Sequence, residues 1–173
     1  MAGGDRPEGL HRQPGDGWLD CPCGRRHWGL HGAAGLLLVG APEHTGTLGT
    51  AVVLQHRALW SDAGGTWGIP GGALAPGETP VEGALRESAE EAGIQPEGLE
   101  VVGTTVLDHG AWSYTTVLAR TTAPQTPSAT DHESLAIAWI LIEDVERRLL
   151  HPGFGRAWPD LRRLVEGVTG RLG

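Results

Sequence analysis

At 173 residues the chain has the length of one ordinary domain, enough to bury a real core. Its 21 acidic against 13 basic side chains give a formal charge of −8, which argues against broad binding to nucleic-acid phosphates or to anionic membranes. No apolar run approaches the roughly 18 residues of a membrane span, and the opening MAGGDRPEGL lacks the apolar stretch of a secretory signal, so a soluble cytoplasmic protein is expected. Every basic residue is arginine, and lysine and asparagine are absent, a pattern of genome composition rather than of chemistry.

Residues 1–26 are rich in Gly, Pro, Asp and Arg without sustained periodicity and are expected to form a mobile lead-in, with residues 27–173 as a single domain. Within CPCGRRHWGLH, Cys21, Cys23, His27 and His31 carry the right atoms for zinc. Their C-x-C-x3-H-x3-H spacing is not a usual zinc pattern, and four ligands in eleven residues leave little chain to wrap an ion. The segment is therefore read as a loop into the first strand. Ala33–Val39 and Ala51–His56 follow as buried strands, with turn chemistry between them and Arg57 ending the second. Trp67 and Ile69 alternate as a short strand that Pro70 ends.

Residues 79–93 predict a helix with all its signals: Thr79 as N-cap, Pro80 at the first position, Glu82 completing a capping box, and Gly93 as the stop. Val81, Ala84, Leu85, Ser88 and Ala92 fall on one side, while Glu87, Glu90 and Glu91 gather on another. Like charges at i,i+4 cost an isolated helix about 0.2–0.5 kcal/mol, and Arg86 offsets only part of that. A bound cation would turn the repulsion to use. Beyond the helix, Leu99–Asp108 and Ala111–Arg120 predict a hairpin turning at His109-Gly110, and residues 121–134 a long polar loop of the kind that is often functional. Leu135–Ile142 predicts a strand, Glu143–Leu150 a helix broken by HPGFG, and Ala157–Val168 a terminal amphipathic helix. Interleaved strands and helices make the class α/β, with a central sheet between helices.

Gly72, Glu78 and the run Arg86-Glu87-Ser88-Ala89-Glu90-Glu91-Ala92-Gly93-Ile94 match GX5EX7REUXEEXGU, where U is a bulky apolar residue. All seven specified non-hydrophobic positions agree, which by chance happens on the order of 10⁻⁸ times per starting point at ordinary residue usage. On these residues the chain resembles the Nudix hydrolases. Ser88 departs from the pattern at the first U, on the core face, where it bears on packing more than on catalysis. Arg57 and Pro70-Gly71-Gly72 fit the flanking arginine and glycine approach of that family, and the likeness covers residues from about 30 to 168.

The resemblance implies a Nudix-type α/β/α sandwich with a central mixed sheet and a hydrolase that cleaves a pyrophosphate linkage in a nucleoside diphosphate derivative. A nucleoside triphosphate, oxidised ones included, is the leading substrate. ADP-ribose, another sugar nucleotide, or a non-catalytic nucleotide-sensing role are the alternatives. It implies Mg²⁺, or Mn²⁺, on Glu87, Glu90 and Glu91 with the Gly71 carbonyl as a further ligand, and Glu78 with Arg86 as the pair that braces loop against helix. Carboxylates suit such hard cations, which also bind phosphate oxygens. Glu87 and Glu133 are the candidate general bases, ahead of His109 and His132. Arg57 is a candidate for a substrate phosphate. Trp67, Trp112 and Trp60 could line a nucleoside pocket or simply pack, while Trp139 and Trp158 fit core patterns.

Overall fold

A computed structural model describes residues 13–170; the portion of the expected lead-in at residues 1–12 lies outside them. The sheet is organised around β3 (Ala33–Gly40), whose eight residues are all buried. Such a continuous apolar run, AAGLLLVG, belongs to a strand covered on both faces. It runs parallel to β8 (Ser113–Thr121) from Ala33↔Tyr114 to Val39↔Arg120. At its far end it pairs antiparallel with β4 (Ala51–Arg57), and at its start with β6 (Gly71–Ala73). β4 in turn carries β5 (Trp67–Gly68) and β9 (Ser134–Leu141), both antiparallel, while β7 (Leu99–Asp108) forms the expected hairpin with β8.

The period-2 alternation of β3 divides the core. Leu36 and Leu38 join Val53, Ala84, Ala92 and Ile94 beneath α2 (Pro80–Ala92). Leu37 and Val39 join Val52, Leu54, Trp158 and Val165 beneath α3 (Pro152–Thr169). A mixed sheet between two helices is the α/β/α sandwich expected. Among the described residues no helix is long and apolar enough to cross a membrane.

Five local expectations change. Within residues 13–26 the chain is not a plain lead-in: β1 (Trp18–Asp20) pairs with β2 (Arg26–Trp28) from Trp18↔Trp28 to Asp20↔Arg26. The segment between β3 and β4, read as turn throughout, contains one short helical piece, α1 (Pro42–Thr45). The glycines after Pro70 form β6 instead of a loop, because residues without side chains let that strand lie close along β3; a Cβ on Gly71 would come within 2.3 Å of the Ala34 carbonyl oxygen. Glu143–Leu150 is not a helix beyond the 3-10 turn Val145–Arg147, since tertiary pairing claims the backbone that follows. Trp67 N donates to the Leu149 carbonyl at 2.8 Å, and His151 N to the Trp67 carbonyl at 2.8 Å. HPGFG then opens α3 instead of breaking a helix: Pro152 takes the first position, and the His151 Nδ1 caps it by accepting from Gly153 N at 3.1 Å.

One close approach in the core can be tested. A Cβ on Gly35 would lie 2.1 Å from the Tyr114 hydroxyl oxygen and 2.9 Å from Ile69 Cδ1. Gly35→Ala should therefore destabilise the protein by about 1–3 kcal/mol, and adding Tyr114→Phe should recover part of the loss. Thermal melting of the single and double variants checks this; equal melting temperatures would show that the hydroxyl is not the obstacle.

Candidate active site

The site is built on α2, whose start is as the residues predict. Thr79 Oγ1 accepts from Glu82 N at 3.3 Å, Glu82 Oε2 accepts from Thr79 N at 2.8 Å, and Gly93 closes the helix with φ of 63°. Ser88 is buried, and its hydroxyl donates to the Leu85 carbonyl at 3.0 Å, so the departure from the apolar pattern leaves no unpaired group.

Arg86 and Glu78 form a bidentate pair: Nε donates to Oε1 at 2.7 Å and Nη2 to Oε2 at 3.0 Å. The same guanidinium reaches the Ala73 carbonyl at 3.1 Å, Glu87 Oε1 at 2.7 Å and Glu90 Oε2 at 3.3 Å. Hydrogen bonding to Glu78, then to Glu87, pushes the Arg86 pKa further up, and the Glu78 carboxyl is held below its usual range chiefly by Arg86. Loop, helix and β6 thus meet at one charged fork.

Glu87 and Glu91 turn inward and are buried, while the Glu90 side chain stays about half exposed. Burial pushes the Glu87 carboxyl up to about 7, against the opposing pull of Arg86, with the charges of Glu90 and Glu133 adding to the rise. Glu91 is driven well above the ordinary carboxylate range by burial first, then by Glu87, Glu133 and Asp131. Its carboxylate accepts from Gln55 Nε2 at 3.2 Å and from Gly71 N at 3.3 Å. A Cβ on Gly72 would stand 2.7–2.9 Å from the Glu87 carboxyl atoms, so that position has no room for a side chain.

The long loop completes the cluster. Its backbone runs along the last turn of α2: Ser128 N donates to the Ala92 carbonyl at 3.0 Å, Thr130 N to the Glu91 carbonyl at 3.2 Å, and the Thr130 hydroxyl to the Glu90 carbonyl. These are the carbonyls a helix end leaves without partners. The loop thereby delivers Asp131 and Glu133, each with a carboxylate oxygen within 4.8 Å of one on Glu91. Glu133 N is held by Asp131 Oδ1 at 2.9 Å, and burial raises the Asp131 carboxyl.

The expected residues are distributed as follows. Glu78, Arg86, Glu87, Glu90, Glu91, Gly71 and Glu133 are brought together, Gly71 through its N–H. Arg57 donates from Nε to the Asp62 carbonyl at 2.9 Å, at the end of β4. Its charge is felt at the buried Tyr114 hydroxyl, which also feels Glu91. Trp67 stacks on His56 with centroids 4.6 Å apart, and the Arg148 guanidinium lies 5.0 Å from the same ring. Trp112 stacks on His27 at 4.1 Å and donates its indole N–H to the Trp28 carbonyl at 3.1 Å. Each tryptophan thus has a histidine stacked on one face of its ring. His109 stands beside His27, not beside the carboxylates.

Asp131 and Gln55 were missed. The signals were present: Asp131 shares the polar loop with Glu133 at a spacing of two, and Gln55 is the one polar residue among the buried positions of β4. The Gln55 amide nitrogen serves Glu91 and Ser134 Oγ, at 3.2 and 2.8 Å, while its carbonyl oxygen is buried without a partner. Glu91, Asp131 and Glu133 form a donor set of hard oxygens that fits a divalent cation, and the charge of the buried Glu87 is felt at Glu91.

Residues 29–161 match the family model described as NUDIX domain. A Bifidobacterium longum nucleoside triphosphate pyrophosphatase/Nudix hydrolase fusion protein is 56% identical over 154 residues, which are 88% of this chain but 32% of that protein. A Mycobacterium tuberculosis protein provisionally named 8-oxo-dGTP diphosphatase 3 is 47% identical over 157 residues, 87% of this chain and 70% of that one. Among solved structures, a Nudix hydrolase from Mycobacterium smegmatis superposes with a TM-score of 0.79 at 42% identity, covering 89% of this chain and 97% of its own.

With divalent metal chelated, Glu91→Gln should melt several degrees above the wild type at pH 8, each kcal/mol being about 2–4 °C at this size. The sign follows from the raised carboxyls. Their folded-state pKa lies above the unfolded value, so the metal-free wild type gains stability as pH falls from about 7, the Glu87 value, toward about 4.5. The advantage of Glu91→Gln should therefore shrink at pH 5. Calorimetry at the two pH values measures the gap, and a gap that widens on acidification would contradict the cause assigned.

Proposed function

The chain belongs to the Nudix hydrolase family, and from that premise we propose that it hydrolyses the pyrophosphate linkage of a nucleoside triphosphate, oxidised purine nucleotides foremost. The observation that carries the reaction is the convergence of Glu87, Glu91, Asp131 and Glu133 beside an Arg86–Glu78 brace. The substrate class leans on the relative named for 8-oxo-dGTP, which this chain matches over most of both lengths. The fusion relative weighs less, because its name covers a protein of which this chain spans about a third.

Glu87, Glu90 and Glu91, joined by Asp131 and Glu133, would hold Mg²⁺, or Mn²⁺ in its place, and the Gly71 carbonyl is the candidate neutral ligand. Bound there, the cation supplies neutralisation of diphosphate charge. The remaining work falls to this chain's own groups. Arg86 keeps the α2 carboxylates in fixed positions, since its fork is already committed to Glu78. Gln55 orients Glu91 by donating from Nε2 to its carboxylate. Glu87 and Glu133 are the two carboxylates that could take the proton of an attacking water. Arg57, at the end of β4, suits a phosphate of the substrate. Phosphoryl transfer of this kind asks for positioning and electrostatics above all. The place for such an activity is the cytoplasm, where the nucleotide pool is.

Glu91→Gln should lower Mg²⁺-dependent turnover by at least about 10²-fold, the scale on which one electrostatic stabiliser acts, with the fold unchanged by circular dichroism. Near wild-type turnover would place the metal elsewhere. A release assay across 8-oxo-dGTP, dGTP, ADP-ribose and a dinucleoside polyphosphate should rank 8-oxo-dGTP first. A higher kcat/KM for ADP-ribose would shift the reading to a sugar nucleotide. Tight binding of one nucleotide without turnover of any would shift it to a sensor.

A further inference from the structure

The β1–β2 hairpin carries a second cluster of ligand atoms, chemically unlike the carboxylates. Cys21 follows β1, Cys23 lies in the turn and His27 lies in β2, and their Sγ and ring nitrogen atoms all stand within 4.8 Å of one another. Cys23 Sγ is 3.2 Å from His27 Nε2, and both cysteines are free thiols. The turn is held by its own backbone: Cys21 N donates to the Arg25 carbonyl at 2.9 Å and Gly24 N to the Cys21 carbonyl at 3.0 Å. We infer that Cys21, Cys23 and His27 form a zinc site that staples the turn of this hairpin, beside the β7–β8 turn.

Distance and chemistry agree on zinc. Tetrahedral geometry with Zn–S of about 2.3 Å and Zn–N of about 2.0–2.1 Å puts ligand atoms about 3.6–3.8 Å apart. Three atoms already gathered inside 4.8 Å need only small side-chain adjustments to reach that. Two thiolates and an imidazole favour zinc over the hard cations suited to the acidic site. Supporting contacts are in place as well. The His27 ring lies flat on Trp112, 4.1 Å away with planes 9° apart, which fixes its orientation. Cys21 Sγ sits 3.7 Å from the His109 carbonyl oxygen, and the His109 ring stacks on His27 at 4.8 Å. With three protein ligands the ion keeps one position for water or for His109. Both thiols lose their protons when the metal binds. His31, although in the same sequence run, is not a member of the cluster; it lies against Gly15.

The site would give the short hairpin a reason to stay folded. A two-stranded hairpin is marginal in water, and here its partner is the turn at the far end of another hairpin, 88 residues away along the chain at Cys21 and His109. A metal on Cys21, Cys23 and His27 would hold the β1–β2 turn closed, and the contacts of Cys21 with His109 and of His27 with Trp112 would seat that closed turn against the other hairpin.

The test uses the reduced full-length protein and Zn²⁺. After gel filtration against a weak chelator in Mg²⁺ buffer, elemental analysis should find one zinc per chain. Cys23→Ser and His27→Ala should weaken zinc binding by more than about 100-fold, beyond what loss of an outer partner costs. Co²⁺ in place of zinc should give a thiolate-to-metal charge-transfer band in the wild type, absent from the Cys21→Ser/Cys23→Ser variant. Glu91→Gln should retain its zinc, which separates this site from the acidic one. Cys23 is exposed, so Cys23→Ser keeps the fold and decides the matter if the double variant does not fold. Zinc content equal in wild type and Cys23→Ser, or no charge-transfer band in the wild type, would overturn the assignment.

Discussion

Arg86 donates to Glu78 through Nε and Nη2, to Glu87 and Glu90 through Nη1, and to the Ala73 carbonyl, and these bonds decide how the loop before α2 meets the helix. The planar fork matters more than the charge. A lysine ammonium could offset the same repulsion, but it could not hold both oxygens of Glu78 while reaching three further acceptors. Removing one partner of such a pair costs more than forming the pair gains, because the other charge is left without its hydrogen bonds. Its contribution is therefore mainly one of placement. The carboxylates of Glu87 and Glu90 sit where one rigid group lets them sit.

That placement is set against an unfavourable field. Glu90 and Glu91 lie in the last turn of α2, where the helix dipole presents partial negative charge. Repulsion among the side chains, burial of Glu87 and Glu91, and the dipole all raise the cost of full ionisation. The polar loop adds two more acids to the same place, because its N–H groups and the Thr130 hydroxyl bond to the carbonyls at the helix end. Backbone demand brings the loop in, and Asp131 and Glu133 come with it. An apolar loop could cap the same helix; it could not make a cation site.

Local chemistry made α2 readable. Capping box, proline, acidic positions and stop glycine all act within a few residues of one another, and the structure contains them as written. β3 was equally plain, because a strand buried on both faces needs an unbroken apolar run. Where reading failed, the deciding partner was remote. Glu143–Leu150 has helical composition, yet Trp67 pairs with the backbone at Leu149 and His151. Pro152 and Gly153 carry the same letters whether they break a helix or start one, and the choice rests on His151 as cap. Asp131 had only its spacing of two from Glu133 to mark it, and the contacts of the loop with the end of α2 are what set both beside Glu91. For Trp67 and Trp112 the residue type suggested a ligand, and the structure adds what the sequence did not show, a histidine (His56 or His27) stacked on one face of each ring.

The spacing of the signature follows from the same geometry. Glu78 stands one residue before the Thr79 cap and Arg86 on the second turn, so their eight-residue separation is a loop-to-helix reach bridged by two long side chains. Adding or removing one residue between Pro80 and Arg86 would turn the guanidinium by about 100° around the helix axis. Glu78, Ala73 and Gly72 would then face a different side chain, while Glu87, Glu90 and Glu91 would rotate away from Gln55 and β6 as a set. The interval from Gly72 to Glu87 is constrained in the same way, because the Glu87 carboxyl group lies against the Gly72 Cα where any side chain would begin. A motif of this length is thus a record of one contact surface, in which the glycine is the space the glutamate fills.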